Sequence, residues 1–337
     1  MNTKQIRLKE RPVGMPTYET FDWTNNEVSE PSEGEVLLKS IYISVDPYMR
    51  GRMNDQKSYV EPYRVGEVIS GGVIAEVVKS NSAEYVPGDL VIGNLGWQTY
   101  QIANEDHLRK IDPKQAPIST HLGVIGMPGM TAYFGLLDIG KPESGETVVV
   151  SGAAGAVGTV VGQIAKIAGA RVVGIAGTDE KIKYLKEELH FDEVINYKSD
   201  QYFEALREAC PKGVDVYYDN VGGEVSDAVL RLINKGARIP ICGQISLYNL
   251  EKPDYGMRVQ PNLLVNSALM KGFIVSDYGA HFEEAIKDLS NWLQEGKLKY
   301  KETIVEGFEN IPEAFIGLFK GENIGKYIVK VADPEHN

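Results

Sequence analysis

Cysteine is nearly absent: the 337 residues hold two, Cys210 and Cys242, far apart and outside any C-x-x-C pattern. That excludes a disulfide framework and a cysteine-rich zinc site. Histidine is scarce as well, and His107, His121, His190, His281 and His336 are scattered without the spacing of a ligand set. No run of about 18 apolar residues occurs, so no membrane-spanning helix is expected. The N-terminus, Met1-Asn2-Thr3-Lys4-Gln5, opens no apolar stretch of the signal-peptide kind. Basic residues are outnumbered, 35 Lys and Arg against 47 Asp and Glu, for a formal net charge of −12. This balance argues against nucleic acid or an anionic membrane as the main partner. With 43% hydrophobic and 24% charged residues, the composition is that of a globular chain long enough for two domains. These features together predict a cytoplasmic protein.

What is present centres on residues 146–181. Residues 146–150, ending in Val148-Val149-Val150, read as a short buried strand. Val160, Val161, Ile164, Ala165 and Ile167 then recur at helical spacing. Between them stands Ser151-Gly152-Ala153-Ala154-Gly155-Ala156-Val157-Gly158. Small residues in such a turn let the backbone approach a pyrophosphate, and the helix start offers free N–H groups and a positive dipole end. The first glycine of G-x-G-x-x-G is replaced by Ala153, while Gly155 and Gly158 keep the register. Alone, the motif fits a plain strand-to-helix turn equally well. Further strands at 171–175 and 193–196 complete a βαβαβ unit and favour dinucleotide binding.

Residues before about 118 read as short strands divided by Pro, Gly and Asp turns: 35–45, 68–78, a strand after Val86-Pro87-Gly88-Asp89, and 97–102. Such a pattern suggests a small barrel. A helix is expected over 119–125, a helix breaker at Gly126-Met127-Pro128-Gly129-Met130-Thr131, and a resumed helix over 132–137. Beyond the first three strands, 214–219, 238–242 and 272–275 read as the fourth, fifth and sixth, giving a doubly wound parallel sheet. Pro240 lies inside the fifth, where a local bulge is expected. An amphipathic helix over 281–295 follows, then 303–305, a helix near 311–319 and 327–331.

Several stretches together resemble one family. They are Ser44-Val45-Asp46-Pro47-Tyr48-Met49-Arg50-Gly51-Arg52-Met53, Gly126-Met127-Pro128-Gly129-Met130-Thr131-Ala132-Tyr133-Phe134-Gly135-Leu136-Leu137, the glycine-rich turn, Asp219-Asn220-Val221-Gly222-Gly223, Cys242-Gly243-Gln244-Ile245-Ser246 and Gly321-Glu322-Asn323-Ile324-Gly325-Lys326. The chain resembles, over essentially its whole length, the zinc-independent medium-chain dehydrogenases/reductases, in the branch of the prostaglandin, alkenal double-bond and curcumin reductases. The resemblance implies a GroES-like β-rich catalytic domain over 1–122, a Rossmann NADP-binding domain over 123–295 and a return to the catalytic domain over 296–337. It also implies a cleft between the domains, a homodimer, and NADPH-dependent reduction of a double bond conjugated to a carbonyl. Two other functions stay open: a zinc-independent quinone reductase, and an NADPH-binding sensor or structural protein without turnover.

NAD sites usually carry an Asp or Glu at the end of the second strand to hold the ribose 2′-hydroxyl. Here that strand ends Gly174-Ile175-Ala176-Gly177-Thr178, with Lys181 one helical turn on and Tyr197 after the third strand. In the family these positions hold the 2′-phosphate of NADP, although on spacing alone Lys181 is equally an ordinary helix lysine. The resemblance further places Met127, Thr131, Ala154, Gly155, Ala156, Val157, Gly158, Thr178, Asn220, Cys242, Ile245, Tyr248, Phe273, Val275 and Asn323 at the cofactor. Where zinc-dependent relatives carry Gly-His-Glu, this chain reads Val65-Gly66-Glu67-Val68, so no metal is expected. Tyr48 is the expected phenol at the substrate carbonyl. Val265 stands where some relatives carry a second tyrosine, and the proton source stays open between Tyr48, the cofactor ribose and water. Tyr59, Tyr63, Tyr248, Tyr255 and Tyr278 are candidate pocket residues without a ranking.

Overall fold

Burial alternates along Asn2–Leu8 (β1), with Ile6 and Leu8 inward. Such alternation suits a strand with one buried face. β1 pairs antiparallel with β2 (Phe21–Glu27) in a two-stranded sheet. Both strands are polar enough (NTKQIRL and FDWTNNE) that neither shows in the hydrophobic pattern. The computed structural model describes residues 1–114 and 116–335, so His336 lies outside the described residues. The chain falls into two units, Met1–Leu122 with the segment from Glu302 onward, and Gly123–Lys301.

The first unit is built on β3 (Glu35–Ser44), β4 (Ser70–Ser80), β5 (Leu90–Gly96), β6 (Tyr100–Asn104) and β7 (Leu108–Lys110), with helix α1 (Tyr48–Arg52) after β3. The returning chain adds β14 (Glu302–Glu306), α9 (Ile311–Lys320) and β15 (Lys326–Lys330). The seven-stranded sheet runs β14-β15-β3-β4-β5-β7, with β6 pairing β3. Its pairs are antiparallel except β14 with β15. The core closes on Phe21, Trp97 and Phe315, whose ring centroids lie 6.0–6.3 Å apart. Residues 119–125 do not make the expected α-helix; a 3₁₀ turn spans Ile118–Leu122.

The second unit opens with α2 (Met127–Phe134). The stretch expected to break a helix instead starts one. Gly126 caps it and Pro128 occupies the first turn, where a missing N–H costs nothing. The six residues Gly135–Gly140 then continue as π-helical turn rather than α-helix. Next come β8 (Thr147–Val150), α3 (Ala156–Ile167), β9 (Arg171–Ala176), α4 (Asp179–Lys183), β10 (Glu193–Asn196) and α5 (Tyr202–Ala209). They are followed by β11 (Val214–Tyr218), α6 (Gly223–Leu230), β12 (Ile233–Ile241), α7 (Gln260–Asn266), β13 (Leu269–Gly272) and α8 (Phe282–Gln294).

The sheet order is β10-β9-β8-β11-β12-β13, and every pair is parallel. This is the doubly wound order of a Rossmann domain. Thr147–Val150 is buried at every position, as a central strand covered on both faces must be. The bulge between β11 and β12 falls between Val214/Ile233 and Val216/Arg238, ahead of Pro240, whose carbonyl still accepts from Asp219 N at 3.0 Å. The sixth strand is Leu269–Gly272, not 272–275. Phe273 leaves the sheet to pack edge-on against Tyr218 and Tyr278, and Val275 joins the Met130–Phe134–Ala285 cluster. An aromatic and β-branched run reads as strand in isolation, and tertiary packing overrides that preference.

Candidate functional site

The crossovers leave β8 toward β9 on one side, and the chain later returns to place β11 on its other side. A doubly wound sheet opens a crevice at the C-terminal ends of its strands at such a reversal. Ser151–Gly155 and Asp219–Gly222 are the two loops that border it. Gly155 caps α3 in extended conformation, so the N–H groups of 156–158 are those of a free helix start. A Cβ on Gly158 would lie 2.4 Å from the Gly152 carbonyl oxygen and 2.7 Å from Ala153 Cα. Only glycine lets the helix approach the turn this closely. Ala153, in place of the usual glycine, is fully buried and its N–H donates to Ile175 O at 3.1 Å. Its methyl fits because Gly174 opposite lacks a side chain; a Cβ there would stand 3.1 Å away.

The opposite loop is set by a carboxylate. Asp219 Oδ1 accepts from Tyr217 Oη at 2.9 Å, Ser151 Oγ at 3.1 Å, Val221 N at 3.0 Å and Gly222 N at 2.9 Å. Oδ2 accepts from Ser226 Oγ at 2.7 Å and Gln244 Nε2 at 2.9 Å. A buried carboxylate satisfied this fully holds its loop rigidly. Asn220 is tied to the glycine-rich turn: its N–H donates to Ser151 Oγ at 3.0 Å and its Nδ2 to Ser151 O at 2.8 Å. The roles of Asp219, Ser151 and Gln244 were not legible in sequence, because each depends on partners far along the chain.

At the end of β9, Thr178 Oγ1 caps α4 by accepting from Lys181 N at 3.3 Å. Tyr197 follows β10, its N–H donating to Ala176 O at 3.2 Å. Burial and the neighbouring Lys198 push the Lys181 ammonium below its ordinary pKa. The structure therefore brings Thr178, Lys181, Tyr197 and Lys198 to adjacent strand ends, with no acid at the tip of β9.

Around the ends of β11 and β12, Tyr218 Oη donates to Thr131 O at 2.8 Å. Thr131 Oγ1 donates to Met127 O at 2.7 Å. Cys242 is hydrogen-bonded to Tyr218, and burial pushes its thiol up to about 12. Ile245 N reaches Asn220 O at 3.4 Å, and Tyr248 Oη accepts from Gln244 N at 3.2 Å. Phe273 packs on Tyr218. Met127, Thr131, Cys242 and Phe273 are thus joined through Tyr218, Asn220 meets Ile245, and Tyr248 holds Gln244, while Val275 packs among α2 and α8.

In the first unit, Tyr48 opens α1, its ring against the core. Its hydroxyl has no hydrogen-bond partner among the described residues. Burial above all, then the nearby Asp46, raises its pKa far above the ordinary phenol value. Asp46 is held by the buried Lys326. Tyr63 donates to Ser70 O and lies under the Arg52 guanidinium, 3.9 Å from the ring centroid. Asn323 is buried, its Nδ2 donating to Gly325 O at 2.8 Å. Of the other tyrosines, Tyr278 donates to Asp138 at 2.7 Å, while Tyr59 and Tyr255 are exposed. Val265 faces outward on α7, 73% exposed.

Two family models match the chain: one described as the N-terminal domain of oxidoreductase, over residues 4–111, and one described as zinc-binding dehydrogenase, over 156–292. A Bacillus subtilis protein that carries the name NADP-dependent oxidoreductase YfmJ is 62% identical over 98% of both chains. The NADPH-dependent curcumin reductase of Escherichia coli is 47% identical over 96% of both. The crystal structure of CurA from Vibrio vulnificus in complex with NADPH superposes with a TM-score of 0.94 at 48% identity, covering 98% of this chain and 100% of that one. Two domains, one GroES-like and one Rossmann, define a medium-chain dehydrogenase/reductase. The chain belongs to the zinc-independent branch of that family, with the curcumin and prostaglandin reductases. The word zinc in the second description does not fit this donor set: among the described residues no group of three or more His, Cys, Asp or Glu is disposed to hold a metal ion.

Proposed function

We propose that the protein reduces the carbon–carbon double bond of α,β-unsaturated ketones and aldehydes with NADPH. The observation that carries the cofactor choice is the end of β9, where Thr178 and Lys181 stand in place of the acid of an NAD site. The names of the relatives, NADPH-dependent curcumin reductase and prostaglandin reductase, support both the cofactor and the substrate class.

The residues fit the cofactor. The N–H groups of Ala156, Val157 and Gly158, reached over the small Ala154 and Gly155, suit a pyrophosphate. Lys181, Thr178 and Tyr197 suit a 2′-phosphate through a charge-assisted contact and hydroxyl donors. Asn220, Cys242, Ile245, Tyr248, Met127, Thr131, Phe273 and Val275 complete the proposed binding surface of the second unit, and Asn323 is a proposed contact from the first. When bound, NADPH supplies hydride. Tyr48 remains protonated at any physiological pH because its pKa is raised. It is therefore the proposed donor to the substrate carbonyl oxygen, where negative charge grows in the transition state.

The test is an acceptor panel of enones, 2-alkenals and quinones, each with NADPH and NADH. Reduction of enones or alkenals with NADPH preferred is expected. Turnover of quinones alone, or stoichiometric binding without turnover, would establish one of the alternatives instead. We also infer a homodimer paired along the outer strand β13. Leu264 is 80%, Val265 73% and Leu269 50% exposed beside that edge, and an apolar unpaired edge favours pairing. A monomer by light scattering at micromolar concentration would refute the pairing.

A further inference from the structure

We propose that Lys198 is a specificity-determining residue, a second cation that reads the 2′-phosphate together with Lys181. The inference rests on the reading of the cofactor as NADPH and extends it to a residue outside the nucleotide-binding motif and outside the binding surface proposed above.

The register places Lys198 there. β9 and β10 run parallel with Asn196 opposite Ala176, so Lys198 and the turn Gly177–Thr178 leave the sheet side by side. The Tyr197 ring packs against that turn; a Cβ on Gly177 would stand 2.6 Å from the ring. Lys198 Nζ sits 5.9 Å from the centroid of the same ring, and its own N–H is fixed by Asn196 Oδ1 at 3.0 Å. Lys198 makes no ion pair among the described residues, although acids outnumber bases in the chain, 47 to 35. Its charge acts on Lys181, and that repulsion is the second cause, after burial, of the lowered Lys181 pKa. Glu180 opposes that shift. Two cations held close repel until an anion sits between them. A terminal phosphate carries about −1.5 to −2 charges near neutrality, more than one lysine neutralises. A ribose hydroxyl offers no such charge, so the pair favours the phosphorylated cofactor and contributes little toward the other.

The experiment measures binding without turnover. Titration calorimetry gives Kd for adenosine 2′,5′-bisphosphate and for 5′-AMP on the full chain, on Lys198→Met and on Lys181→Met. Lys198 is exposed, so the substitution leaves the fold intact, which an unchanged thermal midpoint checks. Lys198→Met is expected to weaken the bisphosphate about tenfold, the scale of one charge-assisted contact, and to leave 5′-AMP within about twofold. Lys198→Arg is expected to keep the preference. If Lys198→Met binds the bisphosphate as the parent does while Lys181→Met does not, Lys198 is no reader and the NADPH reading stands. If neither substitution changes the preference for the bisphosphate over 5′-AMP, the inference and the phosphate-site reading beneath it both fall.

Discussion

Lys326 Nζ lies 3.1 Å from Asp46 Oδ1, a buried ion pair joining residues 280 positions apart. The lysine also donates to Val45 O at 3.0 Å and Tyr327 O at 2.9 Å, so all three ammonium hydrogens are used. Ser44 supplies a hydroxyl to the other carboxylate oxygen. The pair ties the end of β3, where α1 and Tyr48 begin, to β15 in the returning chain. Breaking such a pair leaves a buried charge without its partner, at a cost of about 3–5 kcal/mol. Lys326→Met is expected to lose stability on that scale by urea unfolding. Adding Asp46→Asn is expected to recover part of the loss. Additive losses in the double variant would show that the two residues do not act as a pair.

His121 contributes to the pH dependence of the first unit. It is 4% exposed, and neither ring nitrogen has a hydrogen-bond partner among the described residues. Burial, with Arg109 adding repulsion, pulls its pKa from 6.5 down to about 4. The unfolded chain therefore binds a proton as pH falls through 6.5 while the native chain does not. Stability is full above that value and declines between about 6.5 and about 4, by an amount on the order of 3 kcal/mol. Urea unfolding at pH 7 and pH 5 checks this. His121→Leu should show a smaller difference between the two pH values than the parent, and an equal difference would assign the acid lability elsewhere.

The parallel sheet was legible because its central strands are buried on both faces and so read as unbroken apolar runs bounded by turns. Val148-Val149-Val150 and the strand at 171–175 are cases in point. The β13 edge was not legible. Leu269–Gly272 reads no better as strand than Phe273–Val275; the ladder with β12 and the aromatic partners Tyr218 and Tyr278 decide between them. α2 was misread because Pro128 and Gly129 mark a break anywhere but in a first turn. The missed parts of the site share one property: each is made by distance. Asp219 looks like any acid ending a strand until Ser151, Ser226 and Gln244 converge on it. Lys198 looks like a loop lysine until β10 pairs with β9.

Gly158 tests the close approach of α3 to its turn. A side chain there meets backbone at 2.4 Å, with nothing flexible to yield, whereas at Gly155 the nearest atom is 3.3 Å away. Gly158→Ala is expected to cost about 1–3 kcal/mol of stability, the range of overpacked sites. It should weaken NADPH and NADH alike by at least about tenfold, because the N–H groups of the helix start move. Gly155→Ala is expected to do less on both counts. Fluorescence titration of each reduced cofactor, beside a thermal melt, gives the comparison. Equal behaviour of the two variants would show that the turn tolerates a side chain at Gly158.

Tyr48 is the residue on which the proposed chemistry turns. Its hydroxyl makes no hydrogen bond among the described residues, and its raised pKa keeps the proton on. A donor that is neutral and unspent suits an oxygen that becomes negative only in the transition state. Loss of one such donor typically costs about 2.7–4 kcal/mol, or roughly 10²–10³ in kcat. Tyr48→Phe removes the hydroxyl alone and keeps the ring against the core, so folding is preserved. With an enone substrate, kcat is expected to fall by at least about tenfold while NADPH affinity holds, the smaller figure allowing for the cofactor ribose or water to share the task. A variant that reduces the enone at the parent rate would make Tyr48 a packing residue and move the donor elsewhere.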